Sequence, residues 1–118
     1  MTPIVTARRS CRGLLVQPLE IDADNGCACV ADRSIAMTAT EMQVLLALAT
    51  RARAVIPKWR LMEDLGFTTI GGFKDRRIDV HVSNVRAKLC ELAPAWTFIH
   101  THVGVGYRFD PTPAPPRN

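Results

Sequence analysis

Residues 76–89 of the chain read Arg-Arg-Ile-Asp-Val-His-Val-Ser-Asn-Val-Arg-Ala-Lys-Leu. Ile78, Val82, Val85, Leu89 and Leu92 recur at steps of four, three, four and three. That spacing lays one apolar stripe along a helix of 3.6 residues per turn. The opposite side holds Arg76, Val80, Ser83, Asn84 and Ala87. Arg77 and Lys88 flank it on one edge and Arg86 on the other. The middle of that outer face is short, polar or small, which lets a helix backbone approach a partner closely. An asparagine there can pair bidentately with adenine N6 and N7 in a DNA major groove. Arginines at the helix start can meet phosphates or bases, and Arg86 and Lys88 can meet phosphates. The competing reading is an amphipathic helix whose polar side is only solvated.

Nothing else in the chain offers a reaction. No nucleophile stands with a base, no carboxylates pair for acid–base work, and no glycine loop is arranged to cradle phosphate. An enzyme is therefore not expected. The 118 residues carry a net charge of +4, unevenly placed. Residues 1–12 contribute +3 through Arg8, Arg9 and Arg12, residues 13–50 sum to −4, and residues 51–90 sum to +5. Positive charge gathers in and before the helix of residues 76–92, which suits a polyanion, nucleic acid first. No apolar run approaches the ~20 residues of a membrane span, and the N-terminus lacks the apolar middle of a signal peptide. A cytoplasmic site, away from membranes, is the default expectation. The four cysteines, Cys11, Cys27, Cys29 and Cys90, form no C-x-x-C pair. In a reducing compartment they are expected as free thiols acting as small hydrophobes, with no metal and no cofactor.

The elements that position the helix follow in order. Residues 1–12 read as a flexible basic leader. Leu14–Val16, Leu19–Ile21, Cys27–Val30 and Ile35–Met37 read as short strands, with a turn signal at Asp24-Asn25-Gly26 and another at Asp32-Arg33. Thr38-Ala39-Thr40-Glu41 fits a capping box, opening a first helix that ends near Arg51. Val55-Ile56 is a brief extended piece. Pro57 suits the first turn of a second helix that buries Leu61, Met62 and Leu65 and stops at Gly66. Trp59 in that helix could pack against a phosphate, though a tryptophan is more often a core residue. Residues 67–75 read as a loop. Trp96–Thr101 and Tyr107–Phe109 form a hairpin around Val103-Gly104-Val105-Gly106, with Tyr107 closing it onto the helices. Residues 111–118, rich in proline, read as a disordered tail. The prediction is an α+β winged helix-turn-helix: an N-terminal antiparallel sheet, three helices and a C-terminal β-hairpin wing, with the domain at 13–110.

Three separated stretches carry a family resemblance: Met37–Leu45, Arg76–Val82 and Gly104–Arg108. Together they resemble the OmpR/PhoB-type winged-helix DNA-binding domain, over roughly residues 14–110 and in the right order. The resemblance implies a bacterial transcription regulator with a four-stranded N-terminal sheet. It implies that the third helix enters the major groove and that the wing reaches the minor groove. It also implies that the loop 66–75 contacts RNA polymerase, and that Thr101 sits at a wing position meeting the DNA backbone. His100 and His102 share a strand face at spacing two. Without a third ligand they are assigned to the wing near DNA, His102 included, rather than to a metal.

Three departures from the family matter. Relatives commonly carry an N-terminal receiver domain, for which these residues leave no room, so a stand-alone regulator is expected. Asn84 stands where many relatives have arginine. Val103 stands where many have a wing arginine, which shifts minor-groove contact to His102 or to the basic leader. The expected function is sequence-specific binding of double-stranded DNA through Arg76, Arg77, Val80, Ser83, Asn84, Arg86, Ala87, Lys88, Thr101 and His102. The expected solution state is a monomer that pairs, if at all, on DNA. The alternative is an interaction module docking on RNA polymerase or another regulator.

Overall fold

The computed structural model describes residues 6–7, 14–16, 18–66 and 77–114, with side chains described over 18–66 and 77–114. Two antiparallel sheets flank three helices among these residues. The first sheet contains β1 (Thr6–Ala7), β2 (Leu14–Val16), β3 (Leu19–Asp22), β4 (Cys27–Val30) and β5 (Arg33–Ala36). Its order is β1-β5-β4-β3-β2, so it has five strands rather than the four implied by the resemblance. The extra strand comes from the basic leader, where Thr6 pairs with Ser34 and Ala7 with Arg33. Two residues give no readable period, so the sequence carried no signal for it.

Local chemistry sets the turns. The Asp22 carboxylate accepts from the Asn25 backbone N–H at 3.2 Å and from the Asn25 amide at 2.7 Å, an Asx arrangement that lets Asp22 be buried. Gly26 then takes φ of +66°, where a side chain is strained. The turn between β4 and β5 lies at Ala31-Asp32, one residue earlier than expected, because Val30 pairs directly with Arg33. Helix α1 (Ala39–Ala49) starts at the expected capping box. The Thr38 N–H donates to Glu41 Oε1 at 2.8 Å and the Glu41 N–H donates to Thr38 Oγ1 at 3.1 Å.

Strand β6 (Val55–Pro57) leads into helix α2 (Lys58–Asp64). Pro57 is the cap rather than the first helical residue, with extended backbone angles. Helix α3 (Arg77–Leu92) turns Ile78, Val82, Val85, Leu89 and Leu92 inward, the full stripe read from the sequence. Those residues share one core with Leu45 and Leu48 of α1, Ile35 of β5 and Ile99 and Phe109 of the second sheet. Each such side chain contributes about 1.5–3 kcal/mol when fully buried.

The second sheet, β6-β8-β7, is the wing. Strand β7 (Trp96–His102) pairs with β8 (Gly106–Pro113). The folded part therefore runs beyond residue 110: Thr97 pairs with Thr112, Trp96 with Pro113, and the Ala114 N–H donates to Ala95 O at 2.8 Å. Prolines 111 and 113 are tolerated there because β6 pairs with β8 only over Gly106–Arg108. Past that point β8 has a single partner strand, and a missing N–H leaves no second ladder broken. Residues 115–118 of the expected tail lie outside the described residues. The cysteine expectation also needs correcting. Cys27 and Cys90 keep their thiols, but Cys29 is disulfide-bonded.

Candidate nucleic-acid interface

The outer face of α3 is built by the same periodicity that fills the core. With Ile78, Val82 and Val85 turned inward, Arg77, Val80, Ser83, Asn84 and Ala87 are left exposed on the other side. Val80 is 55% exposed, unusual for a valine in a helix packed on a core. Ser83, Asn84 and Ala87 form a shallow patch with Val80 and Arg77 toward the helix start. Arg76 lies outside the described residues, as do Arg8, Arg9 and Arg12 and all of the loop 66–75 except Gly66.

Two cations assigned to that face by sequence are engaged inside the domain. The Lys88 ammonium donates to Glu41 Oε1 at 2.6 Å and to Ala36 O at 3.1 Å. Its side chain is only 19% exposed, so Lys88 joins α3 to the capped start of α1 and to the end of β5. Burial raises the Glu41 pKa, but the Lys88 hydrogen bond, the Thr38 backbone bond and the Lys88 charge outweigh it, leaving the carboxyl below its ordinary value. Arg86 also turns inward. Its Nε and Nη2 donate to Ile99 O at 3.3 and 3.2 Å, and Nη2 also donates to Thr101 Oγ1. The guanidinium carbon stands 5.6 Å from the centre of the Tyr107 ring. Arg86 and Thr101 thus bond each other across α3 and β7. Half-buried His102 ends β7, and its carbonyl accepts from the Val105 N–H at 2.9 Å, closing the wing turn.

The wing tip is apolar. Val103 is 92% exposed and Val105 53%. The Lys58 N–H donates to Val105 O at 3.1 Å, so the start of α2 abuts the tip. Trp59, read from sequence as more often a core residue, is the next residue of α2 and is 56% exposed. An aromatic at the second position of a seven-residue helix has no periodicity to reveal its face.

One polar cluster escaped the sequence reading. Asp79, in the first turn of α3, accepts from Lys58 Nζ at 2.9 Å and from the Tyr107 hydroxyl. Burial, that hydrogen bond and the Asp79 charge push the Tyr107 pKa up to about 12, against a smaller lowering by Arg86. Lys58 and Tyr107 lie 21 residues before and 28 residues after Asp79. No local pattern connects groups so far apart. Among the described residues no group of three or more His, Cys, Asp or Glu is placed to hold a metal. No described helix is long and apolar enough to cross a membrane.

The chain matches known proteins throughout this architecture. Residues 32–109 match the family model "Transcriptional regulatory protein, C terminal". Protein PetR of Rhodobacter capsulatus is 29% identical over 102 residues, covering 83% of this chain and 43% of that protein. Transcriptional regulatory protein RstA of Escherichia coli is 31% identical over 93 residues, covering 79% of this chain and 38% of that protein. The chain thus spans about two fifths of the length of these curated relatives. Among solved structures, the Klebsiella pneumoniae RstA DNA-binding domain in complex with RstA box superposes with a TM-score of 0.71 at 29% identity. That match covers 82% of this chain and 95% of that one. The family match, the order of the elements and the winged-helix architecture converge: the chain belongs to the transcriptional regulatory protein C-terminal family, the OmpR/PhoB-type winged-helix DNA-binding domains, which are not enzymes.

Proposed function

We propose that this domain binds double-stranded DNA sequence-specifically, with α3 in the major groove and the turn at 103–105 against the minor groove. The observation that carries the reading is the exposed face of Arg77, Val80, Ser83, Asn84 and Ala87 on a helix whose other cations are bonded inward. A helix that only needed solvation would project its long charged side chains, whereas this one withdraws two and presents a shallow surface. Asn84 supplies the donor and acceptor pair that adenine matches, Val80 and Ala87 offer apolar contact for a thymine methyl, and Arg77 reaches the backbone from the helix start. Arg76 and the leader arginines add phosphate contacts. A relative at 29% identity is a DNA-binding domain solved in complex with RstA box, which supports DNA binding by this domain. The domain is a monomer in solution that pairs, if at all, on adjacent half-sites about 10–11 base pairs apart.

A second reading, docking on RNA polymerase or another regulator, is favoured by three exposed apolar side chains, Trp59 of α2 and Val103 and Val105 of the wing turn. A salt titration separates the two. On the DNA reading, log affinity falls linearly with log salt by about 0.9 for each phosphate neutralised, and a selected duplex keeps its advantage over a randomised one throughout. Binding that is weak at low salt and indifferent to sequence would overturn it.

A further inference from the structure

We propose that Asp79 is a positioning residue that fixes the wing against α3, so that sequence preference depends on it while general attraction to DNA does not. The proposal rests on the DNA reading above and names a determinant of its specificity.

Asp79 lies one residue before exposed Val80 on α3, yet its carboxylate faces away from the outer surface and grips two other elements. Oδ2 accepts from Lys58 Nζ at 2.9 Å, at the first residue of α2. Oδ1 accepts from the Tyr107 hydroxyl on β8, two residues beyond Val105 at the wing tip. Seven residues along α3, Arg86 covers the Tyr107 ring and holds β7 through Ile99 O and Thr101 Oγ1. One helix is therefore fastened to both wing strands and to α2 by polar contacts.

Apolar packing alone allows a hairpin to slide along a helix, because dispersion contacts are non-directional. Hydrogen bonds to a fixed carboxylate do not, since they weaken steeply with misalignment. A protein that seats a helix in one groove and a hairpin in the next needs both at one spacing. Base contacts fail when that spacing drifts, whereas phosphate attraction survives it.

The test uses Tyr107→Phe, which removes only the hydroxyl, and Asp79→Asn, which keeps size but loses the charge that holds Lys58. Affinities for a duplex selected by the wild-type chain and for a randomised duplex are measured at one salt concentration. Each variant should lose about tenfold on the selected duplex and less than about twofold on the randomised one, and the double variant should lose little more than either single, as for coupled neighbours. The chain has one tyrosine, so tyrosinate absorbance follows Tyr107 directly. In Asp79→Asn its titration should move down from about 12 toward the ordinary 10.0. Equal losses on both duplexes, additive losses, or an unmoved titration would overturn the proposal. If the wild-type chain prefers a duplex and the variants keep that preference, this proposal alone fails. If the wild type prefers none, the DNA reading fails and takes the proposal with it.

Discussion

Gly106→Ala is expected to be the most damaging small substitution among the described glycines, costing about 3 kcal/mol or more. A methyl group at this position would stand 1.9 Å from the Ile56 carbonyl oxygen, 2.8 Å from its carbon and 2.9 Å from Pro57 Cα. All three are backbone atoms, so no side-chain rotation relieves the clash. The contact lies where Gly106 pairs with Pro57 and with His102, the point at which β6, β8 and β7 converge. Relief requires β6 to part from β8, which also releases the start of α2 from the wing tip. A loss of about 3 kcal/mol lowers the melting temperature of a domain this size by roughly 10–20 °C. A variant melting within a couple of degrees of wild type would show that β6 and β8 are not packed this closely.

The second large effect is expected at Lys88. Lys88→Met keeps the aliphatic stem and removes the charge opposite Glu41, whose side chain is 7% exposed. A nearly buried carboxylate is left with the Thr38 cap alone. The expected cost is about 2–3 kcal/mol, below the usual figure for breaking a fully buried pair because Lys88 keeps some contact with water. The double variant Lys88→Met with Glu41→Gln should recover part of it, since no unpaired charge remains. The sign with pH follows from the lowered Glu41 pKa. The ionised carboxylate stabilises the fold above its ordinary value of 4.5, and that contribution disappears as pH falls through the lower folded value. Lys88→Met should therefore be less sensitive to acid than wild type when unfolding is followed by denaturant titration across this range. Its salt slope for DNA should stay near that of wild type, because the ammonium is bonded internally. A slope reduced by about one would return Lys88 to the phosphate-contacting set.

Lys88 also shows where sequence reading ends. The stripe of α3 was legible because burial imposes a period, and five apolar positions at helical spacing leave one face to be buried. The Thr38–Glu41 box was legible for the same reason: both partners lie within one turn. The partner that takes Lys88 from the surface lies 47 residues earlier, and the one that holds Arg86 lies 13 residues later. A cation at the edge of a helix looks identical from sequence whether it meets a phosphate or a carboxylate. Tertiary pairing decides, and it carries no spacing rule. The proline-rich end misled for a different reason. Proline is excluded only from strands with neighbours on both sides, and β8 loses its second neighbour after Arg108. Trp59 was assigned inward on its size, but the seven residues of α2 bury Leu61 and Met62 and turn the tryptophan out. The extra strand β1 lies in the leader, where two paired residues give too little pattern to read, and the Cys29 disulfide follows from no spacing rule in the sequence.

Asn84 carries the sharpest consequence of the proposed function. The family resemblance leads to an expectation of arginine at this place; an arginine fork prefers guanine O6 and N7, whereas an asparagine amide prefers adenine N6 and N7. Val103 stands where the resemblance leads to an expectation of a wing arginine, so the 103–105 turn should discriminate little among minor-groove sequences. The measurement that tests the account most directly is selection of bound sites from a random DNA pool by the wild-type chain and by Asn84→Ala in parallel. The wild type should select a half-site with a fixed adenine, and Asn84→Ala should lose preference at that one base pair while keeping the rest, with about 1–3 kcal/mol less affinity for the best site. An identical selected sequence from both proteins would contradict the account, placing bases against some other face of the domain.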